Sequence, residues 1–209
     1  CEKVKAWGDA LGVLDAAKQR GLEPDATTNN AVVSSCENRW EEALEYFAVS
    51  GAQRAVPDVI GYSAAIGACR TGRQAALARE LLLSLRRSSL EPDGISYNLA
   101  IDACGRGEQW DAALELLGAV RTDSLTWDAV SCNTAASACE RGWRWEAAVQ
   151  LLSAARRCRM HPDVVMFSAA ISACEKCRQW QLALGLLLEV GRAGLQLDMT
   201  IRNAVISAC

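Results

Sequence analysis

Two polar columns recur through this sequence in a common register. One holds Asn30, Ser63, Asn98, Asn133, Ser168 and Asn203; the other holds Asp25, Asp58, Asp93, Asp128, Asp163 and Asp198. Amides and hydroxyls donate and accept hydrogen bonds, whereas carboxylates only accept. Such groups, repeated in series, suit hydrogen-bonding recognition rather than one reaction centre. Residues for catalysis are sparse. His161 is the only histidine, and it precedes Pro162. Cys174-Glu-Lys-Cys177 is a single CxxC without a second ligand pair, so it completes no zinc set. No glycine-rich phosphate loop follows a strand, and the Asp and Glu residues form no isolated carboxylate pair. The expectation is no enzyme activity, no metal, no cofactor and no small-molecule substrate.

The elements that position these columns must repeat at the same interval. Cys1, Cys36, Cys69, Cys104, Cys139, Cys174 and Cys209 mark it, with gaps of 35, 33, 35, 35, 35 and 35 residues. A period in this range signals a solenoid of stacked small repeats. Counted from the residue after each Asp, complete repeats span 26–58, 59–93, 94–128, 129–163 and 164–198, flanked by partial repeats at 1–25 and 199–209. The repeat at 26–58 is two residues short, between Cys36 and Trp40. The chain begins and ends on one column, so it reads as an excerpt from a longer array.

Each repeat predicts two helices. In 164–176, Val164, Phe167, Ile171 and Cys174 recur three and four residues apart, as one face of a helix requires. Asp163, following Pro162, is a strong N-cap. In 179–193, Trp180, Ala183, Leu184, Leu187 and Leu188 form the apolar set, and Gly194 supplies a C-cap. Small residues recur where helices approach: Ala43, Ala78, Ala113, Ala148 and Ala183 in the second helix, and Ala68, Ala103, Ala138 and Ala173 in the first, with Ser35 in the short repeat. Trp40, Trp110, Trp145 and Trp180 open the second helix and read as apolar anchors.

Composition narrows the function. A net charge of -3 argues against a generally basic, sequence-blind nucleic-acid binder. Seven of the ten cysteines share one column, so they read as reduced, buried, small apolar residues; Cys132, Cys158 and Cys177 lie off it. No apolar run approaches membrane-spanning length, so no membrane partner is expected.

The 35-residue period, the Pro-Asp closes at Pro24-Asp25, Pro57-Asp58, Pro92-Asp93 and Pro162-Asp163, and the opening Gly94-Ile-Ser-Tyr-Asn98 resemble pentatricopeptide repeats. So do Trp110-Asp-Ala-Ala-Leu-Glu-Leu-Leu117 and Trp40-Glu-Glu-Ala-Leu44. The resemblance covers essentially the whole chain and has the flavour of the expanded algal and protist sets. The Trp, Leu-Gly and Tyr pattern of tetratricopeptide repeats is absent. The resemblance implies an all-α, right-handed α-solenoid that binds single-stranded RNA, with one base per repeat read by the fifth residue and the closing residue of that repeat. The implied pairs are Asn30 with Asp58, Ser63 with Asp93, Asn98 with Asp128, Asn133 with Asp163, and Ser168 with Asp198, with Asn203 opening the next.

Chemistry favours particular bases. Uracil and guanine present a ring N–H on the Watson–Crick edge; adenine and cytosine present a bare nitrogen. An Asp acceptor therefore favours uracil or guanine. The longer Asn leaves room for the pyrimidine, and the shorter Ser for the purine. With the family's parallel polarity the complete repeats would read 5′-UGUUG-3′. Capping alone accounts for an Asp column, but not for a fifth position that is always Asn or Ser on a helix whose other inner positions are apolar.

The same resemblance assigns base-sandwiching to the second position, held by Thr27, Ile60, Ile95, Val130, Val165 and Thr200. Packing between repeats is the competing use. Lys3, Arg70, Arg106, Arg141 and Lys176 fall near first-helix ends, where they can contact phosphate or complement the helix dipole. Neighbouring Glu37, Glu140 and Glu175 predict a shallow salt dependence. The implied role is RNA processing, stability, translation or editing in a mitochondrion or chloroplast, with other proteins of an RNA-processing complex as further partners. The alternatives are a protein-binding helical scaffold and the targeting array of a larger enzyme.

Overall fold

The computed structural model describes residues 8, 12–14, 16, 19–20, 24–36, 39–52, 57–123, 125–195 and 199. Cys1, Lys3, Asp198, Thr200, Asn203 and Cys209 lie outside them. No strand occurs among the described residues. The chain divides into two compact halves, Cys1–Ala103 and Cys104–Cys209. The first contains α1 (Ala26–Ser35), α2 (Trp40–Ala52), α3 (Val59–Thr71) and α4 (Ala75–Arg87). α5 (Gly94–Arg106) spans the division. The second contains α6 (Trp110–Thr122), α7 (Ala129–Arg141), α8 (Trp145–Arg157), α9 (Val164–Lys176) and α10 (Trp180–Arg192). The odd-numbered helices are the first of each repeat and the even-numbered ones the second.

Each first helix starts where its Asp supplies a cap. Asp25 accepts from the Thr28 N–H at 2.8 Å, Asp58 from Gly61 at 2.8 Å, Asp93 from Ser96 at 2.8 Å, Asp128 from Ser131 at 2.6 Å and Asp163 from Met166 at 3.0 Å. Each bond satisfies an amide that the helix itself leaves unpaired.

The cysteine column marks the other end. The carbonyls of Cys69, Cys104, Cys139 and Cys174 accept from Gln74, Gln109, Arg144 and Gln179 at 2.8–2.9 Å. The residue before each donor is left-handed: Arg73, Glu108, Trp143 and Arg178 have φ between 55° and 61°. This is the Schellman closure, built without its usual glycine. In the short repeat the turn collapses, and Cys36 accepts from Arg39 instead, at 2.7 Å. The turn after α10 has the same form, with Gly194 at φ 69° and Leu195 donating to Val190.

Packing follows the small-residue columns. In the first half α1 lies on α2 and α3, and α3 lies on α2 and α4; in the second, α7 lies on α6, α8 and α9. Ala43, Ala78, Ala113, Ala148 and Ala183 are wholly buried, as are Cys69, Cys104, Cys139 and Cys174. A methyl group or thiol at these points lets neighbouring helix backbones close up, and larger residues such as Leu85, Val120 and Val190 fill the intervening layer. Cys69, Cys132, Cys139 and Cys174 are thiols outside any disulfide, and burial pushes those of Cys69 and Cys132 up to about 12 and those of Cys139 and Cys174 up to about 11.

α10 departs from its expected face. Leu188 and Trp180 are exposed, and Leu187 is only half-buried; Ala183, Leu186 and Val190 carry the burial. The inward stripe is narrower than the run of leucines because only one side of α10 faces α9. Trp40 and Trp110 act as turn anchors. Trp40 lies so close to Gly72, and Trp110 so close to Gly142, that a Cβ on either glycine would meet ring atoms at 2.4 and 2.5 Å. The Arg144 guanidinium covers the Trp110 ring at 4.3 Å.

Candidate nucleic-acid interface

The beginnings of the first helices place the second, third and fifth positions beside the closing Asp. Second-position Ile60, Ile95, Val130 and Val165 are 52–66% exposed, and Thr27 is also exposed. Two of these large aliphatic side chains in each half are thus left in solvent.

At the fifth position Asn30, Ser63, Asn98, Asn133 and Ser168 are half-buried, and the Asn30 and Asn133 side chains reach the Asp closing their own repeat. Asn30 Nδ2 donates to Asp58 Oδ1 at 2.8 Å, and Asn133 Nδ2 donates to Asp163 Oδ2 at 2.8 Å. Each amide is held through its nitrogen, which leaves its carbonyl oxygen as an acceptor beside the carboxylate. These contacts join residues 28 and 30 positions apart, so they depend on one first helix packing on the next. Ser63 hydrogen-bonds elsewhere. Its hydroxyl meets Ser96 Oγ at 2.8 Å, and Ser96 Oγ in turn donates to Asp93 Oδ1 at 2.7 Å. Ser168 turns back onto its own helix, donating to the Val164 carbonyl at 2.5 Å. Asn98 has a buried Oδ1 with no hydrogen-bond partner among the described residues.

The cations near the first-helix ends are mostly engaged within the protein. Arg70 lies 4.0 Å from Asp102, Arg141 Nε donates to the Gly105 carbonyl at 3.0 Å, and Lys176 pairs with Glu140 at 3.2 Å. Arg106 is exposed. A carboxylate of a neighbouring first helix lies against each of Arg70 and Lys176.

One set of polar groups was not singled out from the sequence. Thr28, Ser96 and Ser131 occupy the third position, and their hydroxyls donate to the preceding Asp Oδ1 at 2.6, 2.7 and 2.5 Å. Their signal is local: Ser or Thr three residues after an N-cap Asp. The Thr28 hydroxyl, then its N–H, hold the Asp25 carboxyl below its ordinary 3.8. Among the described residues no group of three or more His, Cys, Asp or Glu could hold a metal ion, and no helix is long and apolar enough to cross a membrane.

Known proteins match this chain in sequence pattern and in fold. The pentatricopeptide repeat domain model matches residues 52–107, and the PPR repeat model matches residues 95–124 and 165–195. No curated protein sequence matches. The crystal structure of the pentatricopeptide repeat protein PPR10 from maize is similar at 22% identity and a TM-score of 0.74, over 96% of this chain. PPR10 in complex with an 18-nt psaJ RNA element is similar at 24% identity and a TM-score of 0.78, over 97% of this chain. This chain spans 29–30% of the length of those PPR10 chains. The PPR domain of Arabidopsis thaliana protein-only RNase P 1, in complex with tRNA, is similar at 12% identity and a TM-score of 0.60, over 100% of this chain and 92% of that one. The likeness to solved solenoids carries the expected all-α solenoid class.

Proposed function

The chain belongs to the pentatricopeptide repeat family, and from that membership we propose that it binds single-stranded RNA, one base to each complete repeat. The reading order is 5′-UGUUG-3′. Uracil faces Asn30 with Asp58, Asn98 with Asp128, and Asn133 with Asp163; guanine faces Ser63 with Asp93 and Ser168 with Asp198. The observation that carries this reading is the hydrogen bond from Asn to the Asp of its own repeat, at Asn30 and Asn133. Capping a helix requires no such partner. Orienting an amide acceptor beside a carboxylate does, and together they present acceptors to a ring N–H. The exposed second-position aliphatic side chains offer apolar surface to the faces of the bases, and stacking on aromatic side chains, at about 1–3 kcal/mol per base, sets the upper bound for their contribution.

The role that fits is a recognition module that holds a transcript segment single-stranded or positions other factors, within an RNA-processing complex of a mitochondrion or chloroplast. Crystal structures of PPR10 and of the RNase P 1 domain with RNA bound support RNA as the partner. Fluorescence-anisotropy titration of the chain against RNAs carrying UGUUG or UAUUA, and against the matched DNA, tests it. Tightest binding to the first is expected. Equal binding to all three would reduce the interaction to backbone attraction, and no binding by folded monomer would point to a protein partner.

A further inference from the structure

The third residue of each repeat stands against the preceding Asp, and its chemistry varies along the chain. Thr28, Ser96 and Ser131 carry a hydroxyl, and each hydroxyl donates to Oδ1 of the Asp three residues before. Gly61 and Met166 carry none, and the Asp before each, Asp58 and Asp163, accepts the Asn amide of the previous first helix directly.

Side-chain bulk at this position matters as well. A Cβ on Gly61 would meet Asn30 Oδ1 at 2.6 Å. With glycine there, Asn30 shares Oδ1 of Asp58 with the capping N–H. With Met166 there, Asn133 uses the other oxygen of Asp163. Where the third residue is Ser96, the fifth residue Ser63 reaches its Asp only through the Ser96 hydroxyl.

We propose that the third residue of each repeat is a positioning residue for base recognition by the repeat before it. It sets whether the fifth side chain is held by the Asp directly or through an intervening hydroxyl. The inference rests on the fifth and closing residues being base readers. In the repeat at 59–93, the Ser96 hydroxyl couples Ser63 to Asp93 and fixes the direction in which the Ser63 proton points. A hydroxyl whose proton is directed discriminates between an acceptor and a donor on a base, and a freely turning one discriminates less. Guanine and adenine differ in that respect on the edge that Ser63 would face.

The test uses the whole chain and two substitutions. Ser96→Ala removes the hydroxyl and keeps the Ser96 N–H cap on Asp93; Ser96→Thr retains a hydroxyl, as Thr28 does in the same column. Affinities are measured for UGUUG, for UAUUG and for UGUCG. Ser96→Ala is expected to lower the preference for guanine over adenine at the second base about fivefold, the scale of one net hydrogen bond. The preference for uracil over cytosine at the fourth base should stay unchanged, and Ser96→Thr should restore the second-base preference. An unchanged second-base preference in Ser96→Ala, with wild-type discrimination present, overturns this inference alone. Loss at both bases marks a general structural effect and also overturns it. Absence of any base preference in the wild-type chain removes the base-reading proposal itself.

Discussion

Replacing Asp163 by Asn isolates what one carboxylate contributes, because its two oxygens do different work. Oδ1 accepts the Met166 N–H at 3.0 Å and starts α9; Oδ2 accepts Asn133 Nδ2 at 2.8 Å. Asn is as good an N-cap as Asp, so the substituted amide can keep its oxygen on Met166. Its nitrogen then faces the Asn133 nitrogen, and two donors replace a donor and an acceptor. One lost hydrogen bond costs about 1 kcal/mol, which lowers Tm by about 2–4 °C for a chain of this size. Recognition should change more than stability. The group presented to the fourth base turns from acceptor to donor, and a donor suits the bare ring nitrogen of cytosine. A hydrogen bond to a charged group contributes about 1.5–3 kcal/mol. Because Asp163 is only half-buried, the lower end applies, or about a tenfold fall in the preference for uracil over cytosine. Anisotropy titrations against UGUUG and UGUCG measure it, and calorimetry or circular dichroism measures Tm. An unchanged ratio at the fourth base, or equal changes at all bases, would refute the reasoning.

Three other outcomes follow from the geometry. Gly142→Ala should destabilise by about 1–3 kcal/mol, as overpacking does, since its Cβ would meet the Trp110 ring at 2.5 Å; Gly118→Ala, with nothing within 4 Å on α6, should stabilise by about 0.5–1 kcal/mol. Thermal unfolding of the two variants checks both signs. Thiol labelling of the folded chain at pH 8, followed by peptide mass spectrometry, should modify exposed Cys158 and spare buried Cys69, Cys139 and Cys174 until denaturant is added. Thr28→Val should raise the Asp25 carboxyl towards its ordinary 3.8, followed by NMR titration. Because the folded-state value lies below the unfolded one, the Asp25 contribution is present above pH 3.8 and is lost as pH falls through the lowered value.

The legible parts of this protein are those set by near neighbours in the chain. An Asp followed three residues later by an N–H is a local cap, and five such caps begin the first helices where the repeat pattern places them. The bounds of α9, Val164–Lys176, coincide with the stretch expected from the spacing of Val164, Phe167, Ile171 and Cys174. The shortened repeat was also visible, since two missing residues between Cys36 and Trp40 leave room only for the tighter turn. The buried cysteine column was readable because every repeat placed the same small apolar group at the same phase.

Other features required the helices to be packed together. Leu188 looks like core in sequence, yet it is 65% exposed because the contact stripe of α10 is narrower than its apolar run. The engagement of Lys176 by Glu140 joins adjacent repeats and has no local sign. The sequence by itself determined the period, the helix starts and the identity of the polar columns, all of which rest on local hydrogen bonding and helical phase. Only the tertiary structure decided that Asn30 and Asn133 meet their Asp while Ser63 meets Ser96. Those contacts arise between helices about 30 residues apart, and the bulk and hydroxyl of a third side chain at the junction select among them.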